Sequence, residues 1–157
     1  MKSSIVLFAF VLLSSLSKAQ TKEGDKIYWT ALEKYTLSLD TMGFKKAEED
    51  KVKTIYLEKP DFVDSIPSVI NGYKIILITN ENQRKTYKDH KGLLTHTKLF
   101  PISVHDNVAE ISFVPYRGRL KKRNHYMLSV SDGTIIYFKF DSNKNQFVFS
   151  KVKNWGI

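Results

Sequence analysis

The first pattern along the chain is an apolar residue at every third or fourth position. The residues with this spacing are Tyr28, Leu32, Tyr35, Leu39 and Met42. Steps of four and three residues place side chains on one face of a helix, so the spacing predicts an amphipathic helix over residues 26–42. Asp25 is predicted to cap its amino end, because a carboxylate accepts hydrogen bonds from free N–H groups of the first turn. Gly43 suits the left-handed residue that ends a helix.

From residue 54 the pattern changes to the alternation and short apolar runs that are typical of β-strands. Residues 73–79 are a nearly continuous apolar run, which predicts a strand buried on both faces. Residues 80–91 are polar and predict a short second helix, capped by Asn80 and ended by Gly92. The other predicted strands cover residues 54–57, 99–105, 108–116, 124–131, 134–140 and 146–152.

Turn residues separate the last of these strands. Asp106-Asn107 and residues 141–145 are hairpin signals, since Asn and Asp tolerate a positive φ. Gly118 and the Gly133 of Ser131-Asp132-Gly133 are isolated glycines, and both are predicted in turns.

Alternation assigns the side chains of the later strands to two faces. One predicted face carries Ala109, Ile111, Phe113 and Pro115. The terminal hairpin is predicted to have a second apolar face, which encloses a small pocket, meets another chain, or is covered by the helix and residues 60–72. The residues of this second face are Ile135, Tyr137, Phe147 and Phe149.

The order of elements predicts an α+β fold in which an N-terminal helix packs on a curved, mostly antiparallel sheet ending in a β-meander. Without a repeat or a linker, residues 20–157 are predicted to form a single domain. Over residues 25–157 this order resembles the cystatin-like and nuclear-transport-factor-2-like folds, and the resemblance implies the fold alone. The chain also resembles small exported bacterial proteins of unknown function that end in a strand and a Gly-Ile tail, here Asn154-Trp155-Gly156-Ile157.

The first nineteen residues have the pattern of an export signal. Lys2 precedes an apolar run over residues 5–13, and Ser17 and Ala19 fit the −3 and −1 positions of a cleavage site. The run is too short to span a bilayer, which takes about 20 residues. We therefore expect an exported protein, periplasmic or secreted, whose mature chain begins at Gln20 and is not transmembrane.

The amino-acid composition limits the classes of protein and the kinds of site that the chain can form. Its 157 residues are 42% hydrophobic and 13% aromatic, which excludes intrinsic disorder. The absence of cysteine excludes disulfides, thiolate metal sites and cysteine nucleophiles. The formal net charge is +9, and the excess lies in residues 81–157, which carry 14 basic and 6 acidic side chains.

Two clusters hold most of these basic side chains. The larger one, at a predicted hairpin tip, comprises Arg117, Arg119, Lys121, Lys122 and Arg123, and a second on the predicted short helix comprises Arg84, Lys88 and Lys91. Such clusters either bind anionic polymers through counterion release or are solvated charges that keep sheet edges from pairing. We hypothesise weak, salt-sensitive binding of an anionic envelope polymer, without specific recognition of nucleic acid.

The sequence contains no recognised motif for catalysis or metal binding. His90, His96, His105 and His125 lack metal-ligand spacing, and neither a nucleophile elbow nor a Gly-rich phosphate loop occurs. No metal or cofactor is predicted. The main hypothesis is an exported, non-enzymatic domain that binds an unknown protein or an anionic envelope polymer. Two alternatives stay open: a small periplasmic hydrolase whose catalytic residues are drawn from His90, His105, His125 and Asp106, and a structural, envelope-associated protein.

Overall fold

The computed structural model describes residues 24–41, 53–122 and 125–156. The predicted export signal, Met42, Gly43 and Arg123 lie outside these residues. Residues 24–41 form helix α1, and helix α2 spans Gln83–Asp89. The strands of the described chain are β1 Thr54–Glu58, β2 Val69–Ile70, β3 Tyr73–Ile78, β4 Leu93–Leu99, β5 Ser103–His105, β6 Val108–Leu120, β7 Tyr126–Ser129, β8 Asp132–Asp141 and β9 Gln146–Gly156.

These nine strands form one mixed sheet. The order is β2-β3-β1-β4-β6-β8-β9, and β5 and β7 also pair with β6. β1 runs parallel to β3 and to β4, and the other pairings of the described strands are antiparallel. The predicted fold class is therefore confirmed: the protein is α+β, with an N-terminal helix packed on a large, mostly antiparallel sheet.

The 13-residue strand β6 organises the sheet. One of its edges pairs with β5 and then β4, and the other edge pairs with β8 and then β7. The predicted hairpin turn before β6 is present, since Asp106 and Asn107 have φ of 46° and 63°. A β-branched or bulky residue would be strained at these two positions.

Helix α1 packs across one face of this sheet. Tyr28, Leu32 and Tyr35 are buried, as their spacing predicts. The strand side chains that complete this core are Ile55, Leu57, Tyr73, Ile75, Leu99, Ala109, Ile111, Phe113, Ile136 and Phe138. The rings of Tyr35 and Phe113 stack with their centroids 4.4 Å apart. Burying one large apolar side chain stabilises a fold by about 1.5–3 kcal/mol relative to leaving that side chain exposed to water.

Helix α2 packs on the opposite face of the sheet. Its Tyr87 is buried together with Ile78 and Leu94. Leu94 precedes Thr95 in β4 and Tyr56 lies between two core residues of β1, so pleat alternation places both on the face away from α1. The two helices therefore cover different faces, and α2 closes a smaller second core.

Asp25 does not cap α1 from outside, because it lies within the helical residues. Its buried carboxylate instead accepts hydrogen bonds from the backbone N–H groups of Asp64 and Ser65, both at 3.2 Å. The prediction of an Asp25 cap is thus wrong. The carboxylate joins α1 to the irregular segment between β1 and β2.

The predicted boundaries around α2 and β4 also need correction. The helix begins after Asn82 rather than Asn80, and the Asn82 side chain binds Thr79 N and Leu77 O, each at 2.9 Å. The predicted strand over residues 99–105 is two strands, since β4 ends at Leu99 and β5 begins at Ser103. Pro101 lies in the break between them, where it donates no backbone hydrogen bond.

Gly118 and Gly133 are strand residues, not turn residues, which corrects the sequence prediction. Each lies beneath an aromatic ring. A Cβ atom on Gly118 would overlap the Tyr87 hydroxyl oxygen and lie 2.7 Å from Cζ of that ring, and one on Gly133 would lie 2.5 Å from Cζ2 of Trp155. Glycine is required at both positions because the ring occupies the space of a side chain.

The predicted second apolar face of the terminal hairpin is wrong for Phe147 and Phe149. They pair with Phe140 and Phe138, so they lie on the face of the main core. The reason is a bulge that leaves Ser150 unpaired between two registers of β8 and β9. One extra residue in a strand moves the following side chains to the other face.

Candidate functional site

A cavity of about 650 Å³ opens between the carboxyl half of α1 and the sheet. Its walls come from α1 and from six strands, at the end of the main core. The apolar and aromatic lining residues are Tyr35, Leu39, Ile55, Tyr73, Pro115, Gly133 and Trp155. Tyr56 of β1 also borders the cavity, although its ring contacts His90 and the second core. The polar lining residues are Lys53, Thr54, Thr95, Thr97, Asp132, Thr134 and Asn154. A cavity of this size and mixed lining is typical of small-molecule sites.

Threonines at core-facing strand positions leave this space open. Thr95 and Thr97 are in phase with the buried Leu99 of β4, and Thr134 is in phase with Ile136 of β8. These three hydroxyl side chains thus extend the rows that pack beneath α1, but they are smaller than leucine or isoleucine. Sequence reasoning missed the cavity residues. Their apolar phase marks each threonine as facing the core, but the strand pairing is needed to bring the three together.

Hydroxyl and amide groups line the cavity in two pairs. The Tyr35 and Thr97 hydroxyl oxygens are 3.3 Å apart, and the Thr134 hydroxyl donates to Oδ1 of Asn154 at 2.9 Å. Within the described chain, the Thr95 hydroxyl and Nδ2 of Asn154 have no hydrogen-bond partner. The amide of Asn154 is therefore a donor, and the Thr95 hydroxyl a donor or acceptor, for a bound molecule.

An ion pair lies at the edge of the cavity near the end of α1. Nζ of Lys53 is 2.5 Å from Oδ1 of Asp40, and the Tyr73 hydroxyl donates to the same oxygen at 2.9 Å. Burial and then this carboxylate raise the pKa of Tyr73 to about 12. Burial likewise raises the pKa of Tyr35. Both tyrosines remain neutral phenols near neutral pH, suited to hydrogen bonding and not to acting as bases.

The structure divides the predicted basic cluster into two groups. Arg117 and Arg119 lie in β6 and not at a hairpin tip, whereas Lys121 and Lys122 follow that strand. Placing the arginines at the tip is therefore wrong. Their alternation with the buried Gly118 puts both on the α1 side of the sheet, the side of the cavity. Arg84 and Lys88 belong to α2 on the other side and are exposed, as are the four residues above.

No ion pair forms between these six basic side chains and any part of the chain that the structure describes. Leu120 N donates to Gly92 O at 2.8 Å, which places the end of α2 beside the start of the β6–β7 loop. Arg84, Lys88, Lys121 and Lys122 thus lie on adjoining elements.

The histidines named for a hydrolase lie apart from the cavity. His90 is exposed, with Nε2 2.9 Å from the Tyr56 hydroxyl, and His125 is exposed beside Lys121. Nε2 of His105 is 2.9 Å from the Ser103 hydroxyl on an exposed strand. Across residues 24–41, 53–122 and 125–156, no acid bonds to the His105 ring and no cluster of three His, Asp or Glu side chains could hold a metal. The hydrolase alternative gains no support from this arrangement.

The fourth histidine, His96, belongs to the second core. It is buried, its Nδ1 is 3.1 Å from the Tyr87 hydroxyl, and its ring stacks on Tyr116 at 5.9 Å. Tyr126 packs edge-on against Tyr87 with centroids 4.9 Å apart. Tyr126 therefore packs directly on α2, and Tyr116 packs on the His96 ring that lies beside the Tyr87 hydroxyl. Burial lowers the pKa of His96, so it is neutral near pH 7.

Comparison of the chain with protein-family models, with curated proteins and with solved structures finds no match. None of the helices in the described residues has the length and hydrophobicity needed to cross a membrane.

Proposed function

We propose that the protein is an exported, non-enzymatic domain that binds a small organic molecule in the cavity beside Tyr35. The observation that carries this proposal is an open space of about 650 Å³ at the edge of a packed core. Sites for small organic ligands have volumes of about 300–1,000 Å³, and they combine apolar walls with a few placed polar groups. This cavity has both features.

The lining defines the kind of molecule that fits. Tyr35 and Pro115 supply flat apolar surface for an aromatic or aliphatic body. Thr95 and the Asn154 amide supply hydrogen bonds that no described residue uses. The neutral phenols favour binding over acid–base chemistry, because a phenol with a raised pKa holds its proton at neutral pH.

A plug at the cavity mouth tests this proposal. Thr95 is exposed and lines the cavity, so Thr95→Trp adds a large ring there without disturbing the buried core. We expect fragments from a small-molecule library to shift the amide NMR signals of Thr97, Thr134 and Asn154 in the wild type and not in Thr95→Trp. Val104→Trp is the matched control, since Val104 is an exposed strand residue of β5 outside the cavity lining.

The proposal fails if no fragment shifts these signals in the wild-type protein. It also fails if Thr95→Trp and the control variant respond to the same fragments equally. Circular dichroism of both variants shows whether the fold is retained.

A second function, weak binding of an anionic envelope polymer, is favoured by one observation. Four exposed basic side chains without ion pairs lie on α2 and on the adjoining loop. Replacing Lys121 and Lys122 by Ser should lower the salt concentration needed for elution from heparin. Replacing Lys139 and Lys153 by Ser removes the same charge from β8 and β9 and serves as the control. Equal elution of both double variants would contradict a localised polymer site.

A further inference from the structure

We infer that the molecule bound in the cavity is an amphipathic carboxylate, whose acidic group contacts Arg117 and whose apolar body lies in the cavity. This inference rests on the proposed function. It specifies the charge of the ligand and its orientation in the cavity. Both follow from the residues of β6 just beyond the cavity lining.

The register of β4 and β6 places Arg117 at the cavity mouth. Thr95 and Pro115 line the cavity, and Arg117 pairs directly with Thr95. Arg117 is also two residues beyond Pro115, which is one step along the same face of the strand. The side chain therefore begins at the next position outward from the cavity wall.

The guanidinium of Arg117 is available to a ligand. Arg117 is exposed and forms no ion pair within the residues that the structure describes. A guanidinium presents a planar set of donors that matches the two oxygens of a carboxylate. Arg119 repeats this arrangement one step further out on the same face.

The neighbouring acid, Asp132, favours one orientation of the bound ligand and a ligand with a single negative charge. Extending the β6–β8 register by two residues places Asp132 level with Pro115, so Asp132 is deeper than Arg117. An anionic group beside Asp132 would be repelled, whereas one at Arg117 would be attracted. A carboxylate carries one charge, while a phosphate ester carries close to two at neutral pH. The carboxylate is the better match to Arg117, the unpaired arginine whose strand partner Thr95 lines the cavity, because Asp132 lies nearby.

Exposed apolar side chains continue the cavity outward. Leu93 and Met127 pair with Arg119 from the two sides of β6, and they are 55% and 48% exposed. Apolar surface beside unpaired arginines is the arrangement that an amphipathic anion requires. It extends the apolar contact of the ligand beyond the mouth of the cavity.

Two fluorescent probes that differ only at one end test the inference. Pyrenebutyrate carries a carboxylate, and pyrenebutanol has a hydroxyl group on the same apolar body. With the full-length wild-type protein we expect pyrenebutyrate to bind about tenfold more tightly, as a charge-assisted hydrogen bond provides. Arg117→Met should remove this advantage and leave the affinity for pyrenebutanol unchanged. Lys139→Met, which removes an exposed charge on β8, should change neither affinity.

The possible failures are distinguishable. Equal affinity of the two probes, or an equal loss of both in Arg117→Met, would overturn the carboxylate assignment while leaving a binding cavity. Absence of saturable binding for both probes would contradict the proposed function and the inference together. Circular dichroism of Arg117→Met and Lys139→Met confirms that each variant is folded.

Discussion

The methyl group added by Gly118→Ala tests how α2 packs on the sheet. Gly118 lies in β6 directly beneath Tyr87. A Cβ atom there would overlap the Tyr87 hydroxyl oxygen, and it would be 2.7 Å from Cζ and 2.8 Å from Cε1 of that ring, whereas carbon atoms pack at about 3.5–4.0 Å. The ring must therefore move by about 1 Å or more to admit a methyl group.

The cost of that movement follows from what holds Tyr87. The ring is fully buried, and its hydroxyl oxygen is 3.1 Å from Nδ1 of His96. Overpacking a filled core costs about 1–3 kcal/mol, and losing a buried hydrogen bond costs about 1 kcal/mol. The lower chain entropy of alanine offsets about 0.5–1 kcal/mol. We expect Gly118→Ala to lower the free energy of unfolding by about 2 kcal/mol.

Urea unfolding followed by tryptophan fluorescence measures this difference. The informative comparison repeats Gly118→Ala in a Tyr87→Leu background, where no ring lies over the glycine. There the methyl group should cost less than about 0.5 kcal/mol. The same cost in both backgrounds would refute the packing of Tyr87 on Gly118.

Three smaller predictions follow from other contacts. Burial lowers the pKa of His96, so the unfolded chain binds a proton there more readily than the folded protein, and stability is lost as pH falls from about 6.5 toward the lower folded pKa. His96→Gln should remove this part of the pH dependence of urea unfolding, and an unaltered pH profile would contradict the prediction. Asp25→Ala leaves the backbone N–H groups of residues 64–65 without their acceptor and should lower the free energy of unfolding by about 1–2 kcal/mol. The exposed control Asp61→Ala should lower it by less than about 0.5 kcal/mol, and equal unfolding curves of the two variants would show that the contact does not stabilise the fold. Asn107→Val should lower thermal stability by about 1–2 kcal/mol because φ is 63° there, and Asn107→Gly should not; similar melting of both would exclude strain at this turn.

The parts of the fold that local periodicity determines could be predicted from the sequence. The helical face of Tyr28, Leu32 and Tyr35 is buried as expected, and the core face of β6 is correct because alternation within one strand needs no partner. Errors arise where a distant contact decides the outcome. Ser150 forms a bulge only in relation to β8, and Gly118 is a strand residue because a ring from α2 covers it.

The candidate site was harder to predict than the fold. Composition identified the basic residues. Their division between the two faces of the sheet could not be predicted, because it depends on β6 continuing through Leu120. The cavity itself arises from Thr95, Thr97 and Thr134, which are polar residues in apolar phase on strands that are distant in sequence. Only the strand pairing brings them together, so no local pattern predicts a shared cavity.

A crystal structure of the protein with the tightest-binding fragment or probe is the decisive measurement for ligand binding in the cavity. We expect electron density for the molecule between Tyr35 and Pro115, with hydrogen bonds to Thr95 or to the Asn154 amide. A bound molecule found only outside this cavity, while the cavity remains empty at saturating concentration, would show that the cavity is not the binding site.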